Sequence, residues 1–320
     1  MKEIKIIKNR SDIGAGTRGA DMGIDAIEIA AINAGSNFFN QYEYVDVPSS
    51  NEAVYEKQNT PYGVRIDKVR EVCERLSGCV KDALLENKFP LVLSGDHSSA
   101  LGTISGIKCA YPTKRLGVVW IDAHADIHSP YTTPSGNIHG MPLAAALADD
   151  NMDRKKNQVT PITFENWEAM KNIGNIQPKI LHEDLIYFGV RDTESPEDYT
   201  IDKNNIKNYR VEEIRFRGME VCLAEALEKL ASTDFIYISF DVDSMDCDLI
   251  SKGTGTPVSK GFDQNEVKQI IKGFIASGKV NCLEVVEVNP CLDNKGNKMA
   301  ETAFDVLNDV TPLIEKVNLK

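Results

Sequence analysis

A chain of 320 residues, 42% hydrophobic, is long enough to bury a large core, and it carries no long linker that would divide it in two. Its formal net charge of -12 argues against nucleic acid and anionic membrane as partners, since each requires a basic patch. Seven cysteines, an odd number with no C-x-x-C pair, imply free thiols in a reducing compartment. The opening MKEIKIIKNR lacks the apolar centre of a secretory signal and no run reaches membrane-spanning length, so a soluble, cytoplasmic protein is expected. The close basic cluster Arg215-Phe-Arg217 reads as a solvated loop.

In chain order, short apolar runs alternate with stretches of helical period. Residues 3–7 read as a strand and 20–34 as the helix after it, with Ile24, Ile27 and Ala31 on one face. A second strand is expected over 42–47, then a helix over 67–86 whose stripe is Val69, Val72, Leu76, Val80 and Ala83. Strand 89–93, helix 98–110, strand 116–121 and helix 139–148 follow. The polar stretch 149–180 contains Trp167, fits no simple unit and is taken as an insertion. Further strands are expected at 185–190, 235–240 and 280–288, beside helices 219–231, 263–277 and 300–316. Such alternation implies an α/β fold, with a parallel sheet covered on both faces in a single domain over 1–320.

The chemistry lies where the strands stop. Leu91-Val-Leu93 runs into Ser94-Gly-Asp96-His97, and the run ending at Ile121 gives way to Asp122-Ala-His124-Ala-Asp126. Tyr237-Ile-Ser-Phe240 runs into Asp241-Val-Asp243, and Leu283-Glu-Val-Val286 into Glu287-Val-Asn289-Pro290. Open α/β sheets bind ligands beyond the carboxyl ends of their strands, so these four loops are expected to meet in one crevice. Alternation at period two further predicts that Asp122, His124 and Asp126 point one way from an extended backbone. The four aspartates Asp122, Asp126, Asp241 and Asp243, gathered there, would raise one another's pKa and destabilise the fold unless cations lay between them. Two divalent ions would cancel the four charges and use His97 and His124 as well. An oxygen-rich set with few nitrogens and no thiolate suits Mn²⁺ better than Zn²⁺, and two metals sharing a water can hold a hydroxide nucleophile.

A competing motif stands near the start. Gly14-Ala-Gly16-Thr-Arg-Gly19 matches G-x-G-x-x-G between a strand and a helix, which raises an NAD(P)-dependent oxidoreductase. Its ribose-binding acid should close the second strand about 20 residues on. Asp46 stands late for that role, and the motif leaves the aspartates unexplained. Cys247 and Cys291, near the same strand-end loops, read as ordinary thiols.

SGDHS (94–98), DAHAD (122–126), SGNIHG (135–140), SFDVD (239–243), GTGTP (253–257) and EVNP (287–290), in that order, resemble the arginase branch of the ureohydrolase family. The likeness spans nearly the whole chain and includes GTRGA (16–20). It implies a three-layer αβα sandwich around a mainly parallel eight-stranded sheet, two Mn²⁺ ions, a homotrimer or homohexamer, and hydrolysis of L-arginine to L-ornithine and urea through a metal-bridging hydroxide. By the same resemblance one ion is held by His97, Asp122, Asp126 and Asp241, and the other by His124, Asp122, Asp241 and Asp243. Glu287 pairs with the guanidinium, Asp126 accepts a proton from the tetrahedral adduct, and His139 shuttles a proton to the leaving amine. Ser135 and Asn137 resemble the residues that bind the α-carboxylate, Asp192, Glu194 and Glu197 those facing the α-amino group, and Thr256 borders the guanidinium side.

The chain departs from the pattern at defined places. His128 stands where an asparagine usually touches the α-carboxylate, Glu194 where a shorter aspartate is usual, and Ser94 where a glycine is usual. Asp246-Cys247 replaces Asp-Pro, Lys252 replaces a proline, and the loop before Gly255 is one residue longer. These changes spare the six candidate ligands and bear on arginine selectivity. Agmatinase, guanidinobutyrase and formimidoylglutamase activities, and a weakly active metal-holding relative, stand as alternatives.

Overall fold

Burial on both sides of the central strands decides the architecture. In the strand Leu116–Ile121, Val118 and Trp120 enter one apolar core while Val119 and Ile121 enter the other. A strand so placed must lie between two layers of helices. The computed structural model, which describes residues 3–317, shows that arrangement around a single eight-stranded sheet. The strands are β1 (Ile4–Asn9), β2 (Glu43–Asp46), β3 (Phe89–Ser94), β4 (Leu116–Ile121), β5 (Leu185–Phe188), β6 (Lys207–Tyr209), β7 (Phe235–Asp241) and β8 (Val280–Val286). All neighbours pair in parallel, in the order β2-β1-β3-β8-β7-β4-β5-β6. The four strands that end in chemical residues, β3, β8, β7 and β4, are therefore consecutive at the centre of the sheet.

The helices are α1 (Gly23–Asn33), α2 (Phe38–Gln41), α3 (Ile66–Leu85), α4 (Ala100–Ala110), α5 (Pro142–Leu147), α6 (Pro161–Lys171), α7 (Ser195–Lys203), α8 (Val211–Arg217), α9 (Met219–Lys229), α10 (Gln264–Ala276) and α11 (Lys298–Lys316). Helices α3 to α6 cover one face, meeting Ile7, Val92, Trp120 and Tyr237. Helices α1, α2 and α8 to α11 cover the other, over Ile6, Leu91, Ile121 and Leu283. Local signals agree with this packing. In α10, Asp263 accepts hydrogen bonds from the Asn265 and Glu266 amides, and Glu266 reaches back to the Asp263 amide, while Val267, Ile270, Ile271 and Phe274 form the buried stripe.

Some expectations need correction. The stretch 149–180 contains α6, begun by the Thr160 cap and Pro161, with Thr163, Trp167 and Met170 buried; it is part of the helical layer beside α3. Arg215-Phe-Arg217 belongs to α8 and is not a loop. Its cations are paired, Arg215 with Glu266 at 2.7 Å and Arg217 with Glu213 at 2.7 Å, and Phe216 is left outside. The helix expected from residue 139 starts at Pro142, because residues 138–140 form a separate 3₁₀ turn. Among the described residues no helix is long and apolar enough to cross a membrane.

Candidate metal centre

Four strand-end loops converge as their spacing predicts, but one of them does so by bending. The backbone beyond Ile121 leaves the extended conformation, and Asp126 adopts φ 48° in the left-handed region. Simple alternation therefore does not aim Asp122, His124 and Asp126; a sharp bend does. Glu287, at φ 66°, is also left-handed, with its amide donating to the Gly95 carbonyl at 2.7 Å. Such strain, about 1–3 kcal/mol for a residue with a Cβ, persists where the surroundings over-determine it.

His97 Nδ1 lies 3.0 Å from Asp122 Oδ2, 3.0 Å from Asp126 Oδ2 and 3.1 Å from Asp241 Oδ2. His124 Nδ1 lies 2.9 Å from Asp243 Oδ2 and 3.6 Å from Asp122 Oδ1. A ring N–H can point at only one acceptor, yet His97 Nδ1 and Asp122 Oδ2 are buried without any hydrogen bond. Equal spacing around an orphaned nitrogen is the geometry of ligands about a cation. Octahedral ligands with bonds of about 2.1 Å stand about 3.0 Å apart along each edge, so these residues fit a hard dication.

Protons take the cation's place in the metal-free chain. Burial opposes charge on His97 and His124, but the facing carboxylates outweigh it and hold both rings well above their ordinary range. Burial and the Asp122 charge push Asp126 up to about 6, while burial with Asp243 and Asp122 beside it raises Asp241 well above the usual range. Burial also favours protonation of Asp122, but His124 and His97 prevail and hold it low. A carboxyl that titrates at about 6 when folded and at 3.8 when free favours folding less as pH rises between those values. The stability lent by the raised histidines is likewise lost as pH climbs through their folded values. Dications replace these protons, so Mn²⁺ should raise the melting temperature more at about pH 8 than at about pH 6. Paired thermal melts measure this, and equal shifts at the two pH values would contradict it.

The centre opens into a cleft of about 260 Å³. Ser135, Asn137, His128, Asp192, Glu194, Glu197, Thr256, His139 and Glu287 all line it, so every rim residue expected from the sequence is present. The cleft also takes in Thr133, Pro134 and Thr193, which sequence reasoning missed. Thr256 Oγ1 donates to Asp243 Oδ2 at 3.0 Å, and Asp192 stands 3.7 Å from His124 Nε2. Glu194 and Glu197 form a capping box at the start of α7, so both acids serve the helix as well as the rim. His128 is fully engaged: Nε2 meets Glu194 Oε2 at 2.5 Å and Nδ1 meets Thr132 Oγ1 at 3.0 Å. It thus ties two walls of the cleft together, with no ring nitrogen left over for a carboxylate.

Two supports lay outside the sequence reading. Arg191 donates to the carbonyls of Asp243 at 3.0 Å, Val258 at 2.9 Å and Ser259 at 3.0 Å, which fixes the loop carrying Asp243. An isolated cation directly before Asp192 was its one sequence signal. The glycine motif has a packing explanation. A Cβ on Gly14 would lie 2.6 Å from Ser98 Oγ and one on Gly16 would lie 2.6 Å from Asn137 Nδ2, so the loop presses directly on the site. Asp96 serves the same loop, accepting from the Gly14 and Ser98 amides at 2.8 Å each.

A sequence model described as the Arginase family matches residues 2–311. Arginase from Brevibacillus brevis is 35% identical over 317 residues, covering 97% of each chain, and arginase from Bacillus subtilis (strain 168) is 33% identical over 311 residues with the same coverage. The crystal structure of arginase from Bacillus caldovelox superimposes with a TM-score of 0.83 at 34% identity, covering 97% of this chain and 98% of the other. Matched across nearly all of its length and more than 30% identical to full-length relatives, the chain belongs to the Arginase family.

Proposed function

We propose that the protein is a binuclear manganese hydrolase that cleaves the guanidinium group of L-arginine to give L-ornithine and urea. The observation that carries this reading is the pair of ligand clusters sharing Asp122, one with His97 and Asp126, the other with His124 and Asp243, at the floor of an acidic cleft. Asp241 lies against the first cluster and, two residues before Asp243, would serve both ions. Two bound dications would supply the Lewis acidity and the water of lowered pKa that attack on a delocalised guanidinium carbon demands.

The protein's own residues then divide the work. Glu287, buried beside His97, accepts hydrogen bonds from the guanidinium and aims its carbon. Asp126 accepts a proton, and His139 delivers one to the departing amine. At the far end Asp192, Glu194 and Glu197 attract the α-amino group, while Ser135 and Asn137 donate to the α-carboxylate. Release of urea and ornithine from arginine after Mn²⁺ loading tests the reading, with agmatine and formimidoylglutamate as comparison substrates. Turnover of either of those in preference to arginine would move the assignment to another ureohydrolase activity.

The committed ring of His128 adds a specificity prediction. Carboxylate recognition rests here on two neutral donors, so His128→Asn, which frees an amide toward the substrate, should raise the arginine-to-agmatine ratio of kcat/KM by about tenfold. A fall in that ratio would mean that His128 itself touches the carboxylate.

A further inference from the structure

Arg65 does not line the cleft, yet it grips the loop that forms one of the cleft's walls. It stands at the start of α3 with φ 55°, in the left-handed region, its amide donating to Gln58 Oε1 at 3.0 Å. A residue with a Cβ persists there only where its surroundings hold it. Arg65 Nε donates to the Ile13 carbonyl at 2.8 Å and Nη2 to the Ala15 carbonyl at 3.3 Å, so the guanidinium is committed to main chain rather than to a carboxylate. Between those two carbonyls lies that of Gly14, which accepts the His139 amide at 3.1 Å. Just beyond them Gly16 packs so closely on Asn137 Nδ2 that it has no room for a Cβ. The residue before Arg65 holds the opposite side of the same wall. Val64 donates its amide to the Gly136 carbonyl at 2.8 Å, and Gly136, at φ 82°, leaves no room for a Cβ against the Pro61 carbonyl. Residues 61–65 thus touch both the glycine loop and the turn that carries Asn137.

We propose that Arg65 is a positioning residue for turnover: by pinning the carbonyls on either side of Gly14, it holds the backbone against which His139 and Asn137 are set. This rests on the reading that His139 delivers a proton to the departing amine and Asn137 binds the α-carboxylate. Both residues take their place from loop 13–16, one through a hydrogen bond and the other through close packing. A guanidinium holds its N–H groups in a fixed fork and can fix two carbonyls at once, which a single flexible ammonium does less rigidly. Once the loop is released, misplacement of a reacting group by about 1 Å can cost about 10²-fold.

Arg65→Met keeps an unbranched stem and removes both donors. With the full chain loaded with Mn²⁺, kcat/KM for arginine should fall about 10- to 100-fold through both kcat and KM. Calorimetry should still count two ions, because the contacts of Arg65 reach none of the six candidate ligands. Arg65→Lys, which can serve one carbonyl at a time, should lie between wild type and Arg65→Met. If Arg65 acts through His139, the loss in kcat should shrink to less than about threefold in a His139→Asn background, whereas a merely structural role predicts the same fold loss in both backgrounds. The rise in KM should shrink in the same way in an Asn137→Ala background. If Arg65→Met does not fold, Arg65→Lys and its double variant with His139→Asn carry the test. Mn²⁺-loaded wild type that does not hydrolyse arginine would overturn the functional reading and this one with it. With an active wild type, the positioning role alone would be overturned by an equally active Arg65→Met, by loss of an ion from that variant, or by full additivity with His139→Asn.

Discussion

Replacing Asp241 by asparagine is expected to abolish metal binding and turnover together. The carboxylate is buried and does two jobs. One oxygen accepts the Asp243 amide at 2.8 Å and so shapes the turn that presents Asp243, while the other faces His97 Nδ1 at 3.1 Å. Asparagine can keep the first contact and fill the same space. In place of the second oxygen it puts an NH₂ group, which repels a cation and donates to the carboxylates of Asp122 and Asp126. In the metal-free chain burial with Asp243 and Asp122 nearby holds Asp241 well above the usual range, so the substitution there replaces a carboxyl that must take up a proton to be buried by a neutral amide. Metal-free Asp241→Asn should therefore melt at or above metal-free wild type, and Mn²⁺ should no longer raise its melting temperature. At 100 times its dissociation constant each lost ion forfeits about 2.7 kcal/mol of linkage stabilisation. Urea release should fall at least about 10³-fold, since both the nucleophile and the charge stabilisation depend on the ions. A variant that bound two Mn²⁺ and turned over normally would remove Asp241 from the ligand set.

The reach of the sequence into this site follows from how each part is encoded. Strands β3, β4, β7 and β8 are buried along their length and read as mainly apolar runs, so the acids and histidines clustered just beyond them stand out without any alignment. Parallel pairing then brings those ends together, and the six candidate ligands could be named before the fold was known. What stayed hidden was encoded differently. Strand β6 is Lys207-Asn-Tyr209, a polar edge of three residues with no periodicity to detect. The stripe of α6, Thr163, Trp167 and Met170, has helical spacing, but the surrounding polarity masked it. The bend at Asp126 and the left-handed Glu287 are imposed by tertiary contacts, and period-two reasoning has no access to them. The pairing of His128 with Glu194 spans 66 residues, and nothing in the local sequence of either residue signals it.

Changing His139 to asparagine is expected to slow turnover while leaving both ions in place. His139 lines the cleft, its amide donates to the Gly14 carbonyl at 3.1 Å, and Nδ1 lies 3.3 Å from Glu287 Oε1. It touches none of the six candidate ligands. Burial disfavours a charged ring, but the Glu287 carboxylate outweighs burial and raises its pKa to about 9 in the metal-free chain. The ring is protonated below that value, so near neutral pH it holds a proton to give, and nearby dications, by repelling the imidazolium, ease its departure. Asparagine can occupy the space and still donate to Glu287, yet it cannot transfer a proton. Loss of a general acid costs about 10²–10⁴-fold in kcat. Mn²⁺ stoichiometry by calorimetry should remain two, and KM should move far less than kcat. A structural role for His139 would slow every substrate alike. A proton-donating role would slow an arginine analogue with a less basic leaving nitrogen much less than arginine itself, because that nitrogen departs with less help. Steady-state rates for the two substrates in wild type and variant separate these outcomes; equal losses on both would remove His139 from the chemistry.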